Sequence, residues 1–319
     1  MEVVALVSGG KDSCMSMLEW GNDTMGTDEL DSFMFQTVGH TVLQSYAQCM
    51  GLPLFRHTIR GKALNQDLHY AKTQEDEVES LYVLLKEVKK RFPNVQGVAS
   101  GAILSDYQRF RVENVCERLG LVSLAYLWQR DQKELLQEMT EVPIDAVLIK
   151  VAALGLDPYK HLGKSITALR PLLFRLSDEY GCHPCGEGGE YETLTLDCPL
   201  FRYKIVLDET EVVIHSDDQF AQVGYFQIAK HHLEPKADYD ASLVSGGEGI
   251  VYDVWKELPD ELPQCTEAEV AVDAASTTHG ELQAAEPLDI SLSHGAQAKC
   301  RGGEHRRVAA GPTLCRHKG

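Results

Sequence analysis

One stretch near the start limits what this chain can fold into. Val3-Val4-Ala5-Leu6-Val7 is a continuous apolar run, and it empties into Ser8-Gly9-Gly10-Lys11-Asp12-Ser13. A short run of this kind reads as a strand buried on both faces. Adjacent glycines let the backbone turn sharply and bring its N–H groups close to a ligand. Asp12 and Ser13 are residues that open helices, whose N-termini carry the positive end of the dipole. Strand, glycine turn, lysine and helix together form a site for a phosphate or pyrophosphate. It is not a Walker loop, because the spacer that precedes Gly-Lys in that motif is missing. A tight strand-to-helix turn with a solvated Lys11 is the plainer reading of the same residues.

The 319 residues allow one large domain or two. No apolar stretch approaches the length of a membrane span, and Val3–Val7 is too short for a signal peptide. The nine cysteines show no disulfide-framework spacing, so free thiols in the cytoplasm are expected. A net charge of −18 repels nucleic acid unless a basic patch overcomes it. Neither nucleic acid nor membrane is therefore expected as a partner. The charge suits a protein partner with a basic surface, or solubility alone.

Along the chain, strands alternate with helices. A helix is expected from Asp12 to Trp20. No strand is visible between Gly21 and Asp31, and the apolar spacing from Glu29 to Gly51 predicts one long helix. Leu52–Ile59 follows as a strand. Residues 73–91 predict an amphipathic helix, acidic at its start and basic at its end, burying Val78, Leu81, Leu84, Leu85 and Val88. Val95–Ser100 predicts a strand that runs into Gly101, Ala102 and Ser105, with Ser105 capping a helix over 106–119. Small residues at the carboxyl end of such a strand are where open α/β sheets bind ligands, although an ordinary connecting loop also fits. Leu121–Trp128 and Ala146–Val151 predict further strands, with helices at Asp131–Thr140 and Ile166–Tyr180. This alternation argues a parallel sheet with right-handed crossovers. Beyond it, Tyr203–Leu207 and Glu211–His215 predict a hairpin turning at Asp208-Glu209-Thr210. From about residue 240 the pattern fades into a stretch expected to be disordered.

A second stretch also carries chemistry: Cys182-His183-Pro184-Cys185-Gly186-Glu187-Gly188-Gly189-Glu190-Tyr191-Glu192-Thr193. Three carboxylates close together resist ionising unless a cation sits among them. Mg²⁺, an ammonium or a quaternary ammonium facing the Tyr191 ring are the candidates. A plain acidic turn is the alternative. Cys182 and Cys185 also invite a zinc or redox reading, but no second cysteine pair stands at zinc spacing.

Ser8–Ser13 resembles the pyrophosphate loop of the N-type ATP pyrophosphatases. Together with Ser100–Gln108, Arg111-Val112-Glu113 and Gly186–Thr193, it is similar to the diphthine–ammonia ligase family. Leu124–Trp128 and Val151–Asp157 carry the same likeness, which covers roughly residues 1–235. The resemblance implies an adenine nucleotide alpha hydrolase-like, doubly wound parallel α/β sheet. An ATP-binding domain would span 1–150, a smaller α+β substrate portion 151–235, and a disordered tail 236–319. The implied reaction converts ATP, ammonium and diphthine on translation elongation factor 2 into AMP, pyrophosphate and diphthamide, through an adenylated carboxylate.

By the same resemblance, Ser8, Gly9, Gly10, Lys11 and Ser13 would hold the pyrophosphate. Asp12 would carry Mg²⁺ or orient the loop. Gly101 and Ala102 would flank the nucleotide, with Asp106 a metal or ribose partner. Glu187, Glu190, Tyr191 and Glu192 would face the substrate, and one glutamate would take a proton from ammonium. The catalytic set is thus Lys11, Asp12, Glu187, Glu190 and Glu192. In one respect the chain departs from the family. Its members follow the first helix with a second strand at whose end adenine is held, and here that region is shortened near 20–28. A tRNA-modifying pyrophosphatase and a shortened, non-catalytic form of the ligase are the alternatives.

Overall fold

In the computed structural model, which describes residues 2–20, 25–26, 34, 38–57, 59, 61–216, 221–237, 239 and 249–254, strands and helices alternate through the first half. They are β1 (Glu2–Val7), α1 (Lys11–Trp20), β2 (Met25–Gly26), α2 (His40–Met50), β3 (Leu54–Arg56), α3 (Glu77–Arg91), β4 (Val95–Ala99), α4 (Asp106–Leu119) and β5 (Val122–Leu124). The second half continues with α5 (Gln132–Glu141), β6 (Asp145–Val151), α6 (Pro158–His161), α7 (Ile166–Tyr180), β7 (Tyr191–Asp197), β8 (Tyr203–Ser216), β9 (Val223–Pro235) and β10 (Val251–Asp253).

β1 lies inside a four-stranded parallel sheet of order β2-β1-β4-β5. The twofold period of a strand sends its side chains into two cores. Val3, Ala5 and Val7 join one core with Cys14, Met15 and Met17 of α1, α2 and the strands of a second sheet. Val4 faces the other core with Val98, Phe55 and the apolar faces of α3 and α4. Burial on both faces is why β1 reads as an unbroken apolar run. α3 buries Val78, Leu81, Leu84, Leu85 and Val88 as its spacing predicts, and Asp76 caps it by accepting from the Val78 N–H. Ser105 caps α4 in the same way, accepting from the Gln108 N–H.

The second sheet, of order β7-β6-β9-β8, is antiparallel where its pairings are defined. Several expectations change here. β6 belongs to this sheet and not to the parallel one, because an all-apolar run reports burial on both faces but not the direction of its partners. β8 is one strand and not two. Its pairing with β9 shifts register around Leu207, Glu209 and Thr210, so Asp208-Glu209-Thr210 is an irregularity in a continuous strand. The expected strand over Leu121–Trp128 shortens to β5, and Ala125–Trp128 forms a turn closed by the Trp128 N–H on the Ala125 carbonyl.

The long helix expected from Glu29 begins only at His40. Gly39 takes φ 93, in the left-handed region, and Met34 and Val38 stand in bends outside the helix. A second strand does exist before Asp31: Met25 and Gly26 pair with Leu6 and Val7. Two residues without an apolar run leave no strand signature. Past residue 240, Val251–Asp253 forms β10 beside β3, with Tyr252 stacked on Phe55 at 4.7 Å, which corrects the expectation of disorder there. Residues 255–319 lie outside the described residues.

Candidate active site

The turn after β1 is held from below by the second sheet. Gly9 takes φ 86, and its carbonyl accepts from the Tyr46 hydroxyl at 2.9 Å and the Thr195 N–H at 2.8 Å. The Gly10 N–H donates to Ser8 Oγ at 3.3 Å. The Lys11 N–H donates to Thr193 Oγ1 at 3.0 Å, and Ser13 Oγ donates to the Gly10 carbonyl at 2.9 Å. The loop is thus anchored to β7, the strand that follows the glycine- and glutamate-rich stretch. Gly101 presses on it from the other side. A Cβ at Gly101 would stand 2.9 Å from the Asp12 carbonyl carbon and the Ser13 nitrogen, so only glycine permits this approach. Ala102 is buried beside it.

Lys11 is not solvated. Its side chain is 2% exposed, and Nζ donates to Asp12 Oδ2 at 2.9 Å and to the Cys185 carbonyl at 2.5 Å. Burial disfavours the ammonium, but the Asp12 carboxylate, aided by Tyr191 and Cys185, overrides it and holds the pKa above the ordinary lysine value. The other carboxylate oxygen, Asp12 Oδ1, is buried with no hydrogen-bond partner among the described residues. A charged oxygen left so is costly unless a cation or donor meets it.

The three glutamates do not gather around one cation, contrary to the sequence expectation. Glu187 Oε2 accepts from the Ile103 and Leu104 N–H groups at 3.2 and 3.1 Å, joining its loop to the one after β4. Burial, then the nearby Asp12 carboxylate, raises the Glu187 pKa against the pull of those N–H groups. Glu190 accepts from the His183 N–H at 2.7 Å and the Gly188 N–H at 2.8 Å, closing its own loop. Glu192 pairs with Lys150 at 2.7 Å across β6 and β7. Backbone donors and one lysine thus balance the carboxylates separately.

Tyr191 is also corrected. It is 4% exposed, its hydroxyl donates to the Pro184 carbonyl at 2.6 Å, and its ring faces Lys11 Nζ at 5.1 Å. The cation it meets is the protein's own. Asp106 is exposed at the start of α4, where its carboxylate faces Arg109 at 3.6 Å.

Among the described residues, no group of three or more His, Cys, Asp or Glu side chains is arranged to hold a metal. Cys185 is buried, donates to the Gln132 carbonyl, and has its thiol pushed up to about 12 by burial. That is the opposite of a reactive thiolate. Thr193, Tyr46 and His183 are the site residues whose roles the sequence did not disclose. Thr193 ends the motif already quoted, whereas nothing local marks Tyr46, which reaches the turn from α2.

Two family models match the chain: the diphthamide synthase N-terminal domain over residues 1–123 and the C-terminal domain over 131–233. A Homo sapiens diphthine–ammonia ligase is 55% identical over 251 residues, spanning 74% of this chain and 94% of the relative. The chain belongs to the diphthine–ammonia ligase family. A Danio rerio ligase is likewise 55% identical, covered over 98% of its length. The Saccharomyces cerevisiae ligase is 46% identical, and the match spans 36% of it. The alignment to the human ligase holds more positions, 251, than 74% of 319 residues can fill, so that ligase carries residues inside the aligned stretch that this chain lacks. ATP, the co-substrate of such a ligase, fits the residues present. Gly101 packs on the main chain of Asp12 and Ser13 with no space for a Cβ, the Lys11 ammonium lies beside Asp12, and Asp12 Oδ1 has no partner among the described residues.

Proposed function

We propose that this chain makes the amide of diphthamide. It would activate the carboxyl of diphthine on translation elongation factor 2 with ATP and pass it to ammonia, releasing AMP and pyrophosphate in the cytoplasm. The observation that carries this reading is Lys11, buried between Asp12 and the Cys185 carbonyl. It ties the glycine turn to the glycine- and glutamate-rich loop through one ammonium.

A carboxylate resists ammonia because its oxygen is a poor leaving group. Joined to AMP, that oxygen leaves with its electron pair on phosphate. The protein's part is to hold the developing pyrophosphate charge and to place the carboxyl. Ser8, Gly9, Gly10, Lys11 and Ser13 surround the turn where that charge would sit. Gly101 and Ala102 form the wall against the nucleotide, with Asp106 at the rim. Mg²⁺ bound at Asp12 would neutralise phosphate charge. Glu187 sets the substrate loop against the nucleotide loop. Glu190 holds the substrate loop closed, and Glu192 with Lys150 borders it. The parallel sheet with helices on both faces supports a doubly wound pyrophosphatase fold, although its second strand is short.

The test is pyrophosphate release from ATP by the purified chain, with ammonium and diphthine-bearing elongation factor 2 each omitted in turn. Release that requires the acceptor, and amide that requires ammonium, is expected. Release driven by tRNA instead would replace the reading. The two-residue β2 motivates one further reading, a family member that folds but no longer holds ATP. Direct ATP titration separates the two.

A further inference from the structure

The amide-forming step needs a group to take a proton from the nitrogen, and the glutamates of the loop are already engaged. His183 is not. Its Nδ1 and Nε2 are both buried, and among the described residues neither has a hydrogen-bond partner. The backbone around it is fixed nonetheless. Glu190 holds the His183 N–H, Tyr191 holds the Pro184 carbonyl, and Lys11 holds the Cys185 carbonyl. A ring so rigidly carried, with no partner for either nitrogen, is unusual in a folded protein and marks a place where something else arrives.

The charged groups acting on the ring are Glu190 from its own loop and Lys11 and Asp12 from the glycine turn. The imidazole is thus carried by the glutamate-rich loop and within electrostatic reach of the glycine turn. Burial, with Lys11 assisting, lowers its pKa below the ordinary 6.5 against the pull of Glu190 and Asp12, so the ring is neutral at physiological pH. The two thiols of the same stretch offer no rival, because both have raised pKa values.

Building on the ligase reading, we propose that His183 is the general base of the amide-forming step. Ammonia adds to the adenylated carbonyl carbon, a C–N bond forms, and the carbonyl pair moves to oxygen. The nitrogen, now positive and far more acidic than ammonium, gives one proton to a neutral ring nitrogen of His183. The oxygen pair returns, the C–O bond to AMP breaks, and its electrons leave on the phosphate oxygen. The imidazolium then loses its proton to water. One amide, one AMP and one proton result.

His183→Gln and His183→Asn test this in the full chain. Diphthine-dependent exchange of labelled pyrophosphate into ATP, run without ammonium, reads adenylation alone. Amide formation with ammonium reads the second step. Both variants should keep exchange within a few-fold while amide formation falls about 10²–10⁴-fold, the usual contribution of a general base. With rates normalised to the concentration of free ammonia, the acid limb that remains in the amidation pH profile of the parent should disappear with them. Amidation near the parent rate, or exchange and amidation falling together, overturns the role of His183 alone. A parent chain that shows no acceptor-dependent exchange overturns the ligase reading, and this role with it.

Discussion

Gly101 shows how much a single missing side chain decides. Its backbone lies against Asp12 and Ser13, at the start of α1, so closely that an added Cβ meets main-chain atoms at 2.9 Å. Main chain cannot step aside as a flexible side chain does. Gly101→Ala should therefore push the strand-end loop from the glycine turn, at a cost typical of overpacking, about 1–3 kcal/mol. The expected result is a lowered thermal midpoint together with weakened ATP binding by titration. Wild-type values for both would mean that the two loops can separate without consequence. Gly101, Lys11 and the hexapeptide were legible in sequence because a tight turn leaves glycines where nothing else fits. The destination of each side chain was not. That Tyr191 caps Lys11, or that Tyr46 props Gly9, depends on contacts between residues far apart in the chain.

At the scale of elements, the Glu187 carboxylate joins the Gly186–Glu190 loop to the loop after β4. Glu187 accepts two backbone N–H groups while its burial and Asp12 raise its pKa. A carboxyl that titrates higher in the folded chain than in the unfolded one binds more protons when folded. Its contribution to stability is therefore lost as pH rises from the ordinary 4.5 through the folded value. Glu187→Gln keeps an acceptor oxygen without the charge. Melting curves across that window should show the parent losing more stability with rising pH than the variant. Equal slopes would mean that Glu187 carries no such strain. Elements themselves were readable wherever period and cap agreed, as in α3 with Asp76 and α4 with Ser105. Their assembly was less so. An apolar strand such as β6 does not announce which sheet takes it, and turn-forming residues at 208–210 mark an irregularity as readily as a hairpin.

Over the whole molecule, the unusual feature is the edge beside β1. Among the described residues, β2 contributes Met25 and Gly26 to the parallel sheet, next to the strand that carries the glycine turn. The human ligase supplies more residues in the aligned stretch than this chain does. A full strand here would bury two or three Val, Leu or Ile side chains, at about 1.5–3 kcal/mol each. It would also extend the sheet towards the place proposed for the adenine ring. The residues proposed to hold pyrophosphate lie in the turn after β1 and at the start of α1, where β7 anchors them through Thr193, so of these elements β1 alone is paired with that strand and pyrophosphate binding should be separable from base binding. Inserting the human ligase's residues between Trp20 and Gly26 should raise the thermal midpoint by several degrees. It should also tighten ATP at least tenfold, about 1.4 kcal/mol, with pyrophosphate affinity little changed. A rise in stability without tighter ATP would show that this chain holds the base by other residues. Tighter ATP and pyrophosphate in equal measure would mean instead that the short edge loosens the glycine turn itself.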